Sequence, residues 1–286
     1  IINREQTVIS KGSISELGMA LAGSYKDRLL IGLSIGVPFV SFTEEKTYRE
    51  IDDNDEVPFF DDLTYRENLT TTGIGVNAKL GIILRPHQAV RLGAAVHTPT
   101  AYSLEDNYSA ALEYNFTDGD PFVGRDSTDG LFDYKLRSPW RFIGSAGIII
   151  GKSGFISGEV EHVDYGKNRF NFDTFTSEER IANDSITNIL TAATNVRLGG
   201  EFVYDIFRFR AGFGLHYSPY ANDDTINNSY SFGFGIREQN FFIDFAYRRR
   251  TFEEGYIPYL TSQSPEQLVN NETNNDQLLL TLGFKF

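Results

Sequence analysis

Large and small side chains alternate along nearly the whole chain. Phe207, Phe209, Ala211, Phe213, Leu215 and Tyr217 interleave with Arg208, Arg210, Gly212, Gly214 and His216. Near the end, Leu278, Leu280, Leu282, Phe284 and Phe286 interleave with Leu279, Thr281, Gly283 and Lys285. The runs from Leu29 to Phe39 and from Gly73 to Ile82 repeat the pattern, with Gly, Ser, Asn and Lys on the second face. A period of two marks a strand with two unlike faces, and helical spacing is nearly absent. A soluble sandwich would turn the apolar face into a core and the other to water. A barrel of the outer membrane turns the apolar face to lipid and the other to its lumen. The Gly, Ser and Ala on the second face suit a crowded lumen, which favours the barrel.

The connections point the same way. Tight turns are expected at Lys26-Asp27, around Pro86-His87-Gln88, at Lys152-Ser153, at Asp205-Ile206 and at Gln239-Asn240. Long polar loops are expected at about 43–62, 116–130, 173–191, 219–228 and 254–275. Short and long connections alternate, as periplasmic turns and extracellular loops do in bacterial barrels. The pattern predicts about eleven strands in one barrel domain over 1–286. These strands exceed the roughly 9–11 residues a bilayer needs, so they should project beyond the outer surface. First and last strands then run the same way, and an antiparallel barrel closes only with an even number. The expectation is the C-terminal part of a larger barrel, with an odd number of strands preceding Ile1.

Composition narrows the classes. The 286 residues carry a net charge of −13, no Cys, 24 Phe and 15 Tyr. An acidic chain does not neutralise phosphates in bulk, so no nucleic-acid partner is expected. Without Cys there are no disulfides, thiolate metal sites or thiol nucleophiles. No run of about 18 apolar residues exists, which excludes a transmembrane helix.

Several runs carry a resemblance. They are Leu92-Gly93-Ala94-Ala95-Val96-His97-Thr98-Pro99-Thr100, Ser138-Pro139-Trp140-Arg141, and Gly158-Glu159-Val160-Glu161-His162-Val163-Asp164-Tyr165-Gly166. Together they resemble the long-chain fatty-acid transporter family of outer-membrane proteins, the FadL/TodX group. The resemblance implies a 14-stranded barrel plugged by an N-terminal hatch, with three strands and the hatch preceding Ile1. It implies capture of a hydrophobic substrate near the outer face and sideways exit through a kinked strand. The family's Asn-Pro-Ala hatch motif and kinked third strand have no counterpart in these residues. The end at Gly283-Phe284-Lys285-Phe286 resembles the terminal signal read by outer-membrane assembly machinery.

Candidate chemistry is sparse. Gly147, Gly151, Lys152 and Ser153 imitate a phosphate loop, but with one residue too few between the glycines, so a periplasmic turn is expected. His162 and Asp164 share a strand face and could form a hydrolytic pair, although such pairs are ordinary on strands. Asp52, Asp53, Asp55 and Glu56 lack the spacing of a calcium loop; a solvated loop is expected, with no metal and no cofactor. Val57, Phe59 and Phe60 interrupt this acidic stretch, and Phe122 interrupts the next long loop. Exposed aromatics without a local core mark contact with something, and the resemblance places both loops at the family's ligand-capturing groove. A capping box at Thr176-Ser177-Glu178-Glu179 predicts a short helix on the rim carrying Ile181, Ile186 and Ile189.

Extending the alternation puts Lys79, Arg91, His97, Glu159, Glu161, Arg197, Glu201, Arg208, Arg210, Asp244 and Arg248 on the inward face. Most should form structural ion-pair ladders. An amphipathic acid would need one cation amid apolar surroundings, since a buried unpaired carboxylate is costly. One or two of the arginines would serve, and His97, Arg141 and Arg248 are the candidate ligand-binding residues of the lumen.

The expectation is therefore passive uptake of a hydrophobic small molecule, most simply a long-chain fatty acid, across the outer membrane of a Gram-negative bacterium. No bond is made or broken, so no enzyme is expected. The surroundings would be outer-membrane lipid and lipopolysaccharide, with fatty acid or detergent as ligand. A second reading makes the barrel a scaffold with an outer-membrane protein partner, in a secretion or surface-attachment complex. A third is a hydrolase resting on His162 and Asp164.

Overall fold

Backbone pairing organises the whole molecule. The computed structural model describes residues 2–116, 124–257 and 268–284. Its strands are β1 (Asn3–Tyr25), β2 (Leu29–Ile51), β3 (Phe60–His87), β4 (Val90–His97), β5 (Ala101–Phe116), β6 (Gly124–Arg137) and β7 (Arg141–Ile150). They continue as β8 (Gly154–Asp164), β9 (Arg169–Asn171), β10 (Ala192–Tyr204), β11 (Phe207–Tyr217), β12 (Ile226–Arg237), β13 (Phe241–Tyr256) and β14 (Val269–Phe284). The α-helix α1 (Thr176–Ile189) follows β9, and a 3-10 turn at Tyr165–Lys167 follows β8. The strands form one 14-stranded antiparallel sheet, ordered largely as in the sequence. The barrel is not closed: among the described residues β1 pairs only with β2, and β14 only with β13. No helix among them is long and apolar enough to cross a membrane.

The expected eleven strands become fourteen because three paths are interrupted. β4 and β5 are one path broken at Thr98–Thr100, β6 and β7 one broken at Ser138–Trp140, and β8 and β9 one broken at Tyr165–Asn168. The breaks are neighbours in space. His97 lies opposite Arg141 just below the first two, and Ala101 opposite Arg137 just above. Pro99 and Pro139 lack the N–H a ladder needs, and beside each break a hydroxyl oxygen takes the place of a ladder carbonyl as acceptor. The Thr98 hydroxyl accepts from Ala78 N–H at 2.9 Å, and the Ser138 hydroxyl accepts from Thr100 N–H at 2.8 Å.

The tight turns fall where the sequence places them. Lys26 and Asp27 both have positive φ, 51° and 52°, as a two-residue hairpin turn with the right twist requires. The long loops are shorter than expected. β2 runs to Ile51 and β3 starts at Phe60, so the loop expected at 43–62 shrinks to 52–59, and Phe60 belongs to a strand. Likewise β6 begins at Gly124, and β13 reaches Tyr256 while β14 begins at Val269. Above the bilayer the outward face meets water, so the apolar alternation lapses while backbone pairing continues.

Polarity inverts along β3. Its lower part exposes Ile74, Val76, Leu80 and Ile82 on the outward face, with Gly75, Asn77, Lys79 and Gly81 inward. Its upper part exposes Arg66, Asn68, Thr70 and Thr72, with Tyr65, Leu69 and Thr71 turned inward. The inversion marks where the strand leaves lipid for water.

The capping box does not form. Phe175 is the residue before the helix and makes no side-chain cap. Glu179 reaches back instead to Phe172 N–H at 2.7 Å and the Asn171 amide at 3.3 Å. The helix is otherwise as expected: Ile181 and Ile189 are exposed and Ile186 is half-buried. Phe122 and the terminal Lys285-Phe286 lie outside the described residues.

Candidate ligand path

A lane of small residues crosses the inward face. Ala22, Gly32, Gly81, Ala95 and Ile143 are successive cross-strand partners on β1, β2, β3, β4 and β7. A Cβ added at Gly32 or Gly81 would meet nothing closer than the cross-strand Ala Cβ at 3.8 Å. With side chains this short, a space of about 640 Å³ opens over the lane, edged by Ile83, Ser145 and Glu159. That volume is in the range of small-molecule sites.

Above the lane lies a polar belt. Lys79, His97 and Arg141 are direct cross-strand partners on β3, β4 and β7. Lys79 pairs with Glu16 of β1, whose carboxylate also accepts from the Asn77 amide at 3.1 Å. Arg141 pairs with Glu161 at 3.1 Å. Arg197 bridges Glu159 and Glu161, and the Asn195 amide donates to Glu161 at 2.9 Å. Glu161 is only 4% exposed, and these three donors satisfy it, as a buried carboxylate requires. Further round, Arg210 joins Glu201 at 2.6 Å and Asp244 at 2.7 Å. The expected ladders are therefore present.

Arg248 and Arg250 are different. Both lie on the inward face of β13, opposite Ser231 and Ser229. Among the described residues neither has a carboxylate partner, and the buried Arg250 Nε has no hydrogen-bond partner. The Arg250 guanidinium sits over the Phe252 ring at 4.2 Å. It lines a space of about 610 Å³ with Tyr165, Asn195 and Tyr217. The sequence reading named Arg248 and missed Arg250, although the same period of two reaches it.

An aromatic cluster covers the inward wall beside α1. Phe132, Tyr134, Phe170, Phe172 and Phe175 stand with ring centroids 5.1–6.3 Å apart. The sequence reading missed it because Asp133 and Lys135 interleave with its members. The signal was an alternation with its apolar members turned inward, as a strand above the bilayer demands.

Val57 and Phe59 sit at the tip of the β2–β3 hairpin. Asp52 builds that tip: its carboxylate accepts from the backbone N–H of Glu56 at 3.0 Å and of Val57 at 2.5 Å. Those two donors hold its pKa below the ordinary carboxylate value. Phe59 has φ 70° and is 59% exposed, an unfavourable backbone for a bulky residue. Phe60 is half-buried and lies opposite Phe116.

The candidate residues thus fall into three places. His97 and Arg141 meet in the belt. Arg248 stands across the sheet from them, with β8, β10, β11 and β12 between. Val57, Phe59 and Phe60 lie roughly 50 Å up the strand from Val76, at about 3.3 Å per residue. His162 is on the outward face and bonds Thr194 at 2.9 Å, with no bond to Asp164 among the described residues. Among the described residues no acidic or histidine cluster is arranged to hold a metal ion.

No family model matches the sequence, and no curated protein matches it. Solved structures are similar in fold. The Ralstonia pickettii toluene transporter TbuX matches at 16% identity and TM-score 0.55, over 86% of this chain and 64% of that one. A Pseudomonas aeruginosa FadL homologue matches at 12% identity and TM-score 0.50, over 93% and 76%. The CymD monoaromatic hydrocarbon channel matches at 10% identity and TM-score 0.47, over 87% and 83%. At these identities the first two show the fold alone, which is that of an outer-membrane β-barrel.

Proposed function

We propose that the chain forms the wall of an outer-membrane channel for passive uptake of hydrophobic small molecules. The lane of small residues carries this reading. A lumen filled only by ion-pair ladders would have no room for an apolar ligand, whereas Ala22, Gly32, Gly81 and Ala95 leave about 640 Å³ beside Ile83 and Ile143. TbuX, a toluene transporter, has the same fold, which supports the reading. Diffusion down a gradient needs no bond made or broken, so no catalytic residue is assigned.

The finer reading is a long-chain fatty acid. Its chain would lie on apolar wall, and its carboxylate would need a cation already desolvated and not neutralised by a carboxylate. Arg248 meets the second condition, and Arg250, the next residue on the same face, meets it too and is half-buried, with its Nε buried. Arg141 and His97 belong to a belt already compensated by Glu161, so they suit a passing contact better than a resting site. Val57, Phe59, Phe60 and Phe122 would first meet the ligand at the outer rim.

Uptake of labelled toluene and labelled oleate should be measured in Gram-negative cells expressing the full-length protein and lacking their own carrier. Faster entry of oleate than in empty-vector cells supports the finer reading. Faster entry of toluene alone keeps only the coarser one. Entry of neither, with the barrel folded, overturns uptake and leaves the scaffold role.

A further inference from the structure

The outer wall carries a basic seat that uptake does not use. Lys135, Arg137 and Arg169 occupy the outward face where β6 and β9 pair. Arg137 and Arg169 are direct cross-strand partners, and Lys135 lies one step along the same face. Like charges directly opposite in an antiparallel pair are destabilising, and this chain has a net charge of −13. Three cations gathered on one face therefore call for an anion. Lys135 has a loose, solvent-exposed pairing with Asp173 at 3.4 Å. Arg169 is fixed through one guanidinium nitrogen to the carbonyls of Gly166 and Asn168, at 2.8 and 2.6 Å. Among the described residues Arg137 has no hydrogen-bond or ion-pair partner.

The height of this cluster is readable from its neighbours. On the same outward face, just past the break, Trp140 and Phe142 are exposed and stack at 6.4 Å. Aromatic residues of this kind sit at the membrane interface, with Ile148 and Ile150 continuing the lipid-facing band below. The cations stand immediately above the aromatics, at the level of lipid phosphates. A groove of about 790 Å³ runs beneath them, with Val37, Ile74, Val76 and Ala101 along its apolar side. The Glu179 carboxylate at its far wall is engaged by Phe172 N–H and the Asn171 amide.

We infer that this groove seats a phosphorylated lipid of the outer leaflet, its phosphate between Arg137 and Arg169 and an acyl chain along Val37, Ile74 and Val76. Basic clusters at a membrane interface recognise anionic head groups in this way, and planar guanidinium groups match phosphate oxygens. The seat is on the opposite face of the wall from the lumen, so it stands or falls independently of uptake.

Native mass spectrometry of the purified protein, in micelles holding equal amounts of diphosphoryl lipid A and phosphatidylcholine, tests it. The intact protein should retain lipid A about tenfold over phosphatidylcholine, a difference of about 1.4 kcal/mol. The Arg137→Gln, Arg169→Gln double variant should lose that preference, and millimolar inorganic phosphate should not displace the lipid. Equal retention of both lipids by the unaltered protein overturns the seat, whether or not the variant folds. So does a preference that survives in a folded variant, and displacement by inorganic phosphate would reduce the cluster to a site for free anions.

Discussion

Tyr134 and Phe142 lie on one strand path, an even number of residues apart, and point to opposite faces. Tyr134 turns inward, its hydroxyl on Asp106 and its ring on Phe170. Phe142 turns outward and is exposed in the lipid-facing band. In an unbroken strand an even separation puts both side chains on one face. The break at Ser138–Trp140 absorbs one residue and reverses the phase, and the break at Thr98–Thr100 does the same between His97 and Tyr102. The reversal lets each path show lipid an apolar face below and show its own interior an apolar face above.

Deleting Pro139 removes the residue that absorbs this change of phase. Either the aromatic cluster or the lipid-facing band would then face the wrong way. Heat-modifiable migration, which reports a folded barrel, should be lost on deletion and kept in Pro139→Ala, which preserves the count. Equal folding of both variants would contradict the phase argument.

The lipid-facing band gives a second expectation. Phe213 is on the outward face of β11, its ring 5.3 Å from Tyr230. Phe213→Arg should lower stability by about 2–4 kcal/mol, the cost of a cation near the bilayer midplane. Denaturant unfolding in lipid vesicles measures this. An unchanged midpoint would mean that Phe213 does not face lipid.

The hairpin tip should titrate. Asp52 has a folded pKa below its ordinary value because the Glu56 and Val57 N–H groups donate to the ionised form. Its contribution to the tip is complete above the ordinary carboxylate value and is lost as pH falls through the depressed one. The amide resonances of Glu56 and Val57 should therefore shift with a midpoint below about 3.9. A midpoint at or above that value would mean that the carboxylate does not hold the tip, and Asp52→Asn should remove the transition.

Much of this architecture was legible because lipid imposes a strict period of two. Phe207 to Tyr217 and Leu278 to Phe284 show their faces in the sequence, and Lys26-Asp27 announces its turn. The upper wall was harder to read. From Thr43 to Glu50 neither face is aliphatic, so β2 looked like loop, yet its pairing with β3 continues through Lys46 and Tyr48. The aromatic cluster was hidden for a related reason: it draws on β6, β9 and the turn into α1, and only the breaks put those segments in phase. Arg141 was named as a candidate contact for a ligand, but its compensation by Glu161 depends on register between strands, which composition does not encode.

Phe59 is the sharpest test of the outer rim. Phe60 is tied to the strand beside Phe116, whereas Phe59 is exposed and outside the membrane. Burial of a phenyl ring by ligand is worth about 1.5–3 kcal/mol, so Phe59→Ser should weaken capture at least about tenfold with folding intact. Binding of labelled oleate to the purified protein reads this directly. Unchanged binding would remove the hairpin tip from the ligand path.

Uptake through the small-residue lane is the central claim, and Ala95→Trp tests it most directly. Ala95 sits between Gly81 and Ile143 in the lane, and an indole there would occupy the space without touching the lipid-facing band. The measurement is the initial rate of labelled toluene entry into cells expressing equal amounts of folded wild-type or Ala95→Trp protein. The lane predicts entry above empty-vector cells for wild type and a fall to that background for the variant. Wild-type rates in a folded Ala95→Trp protein would contradict it.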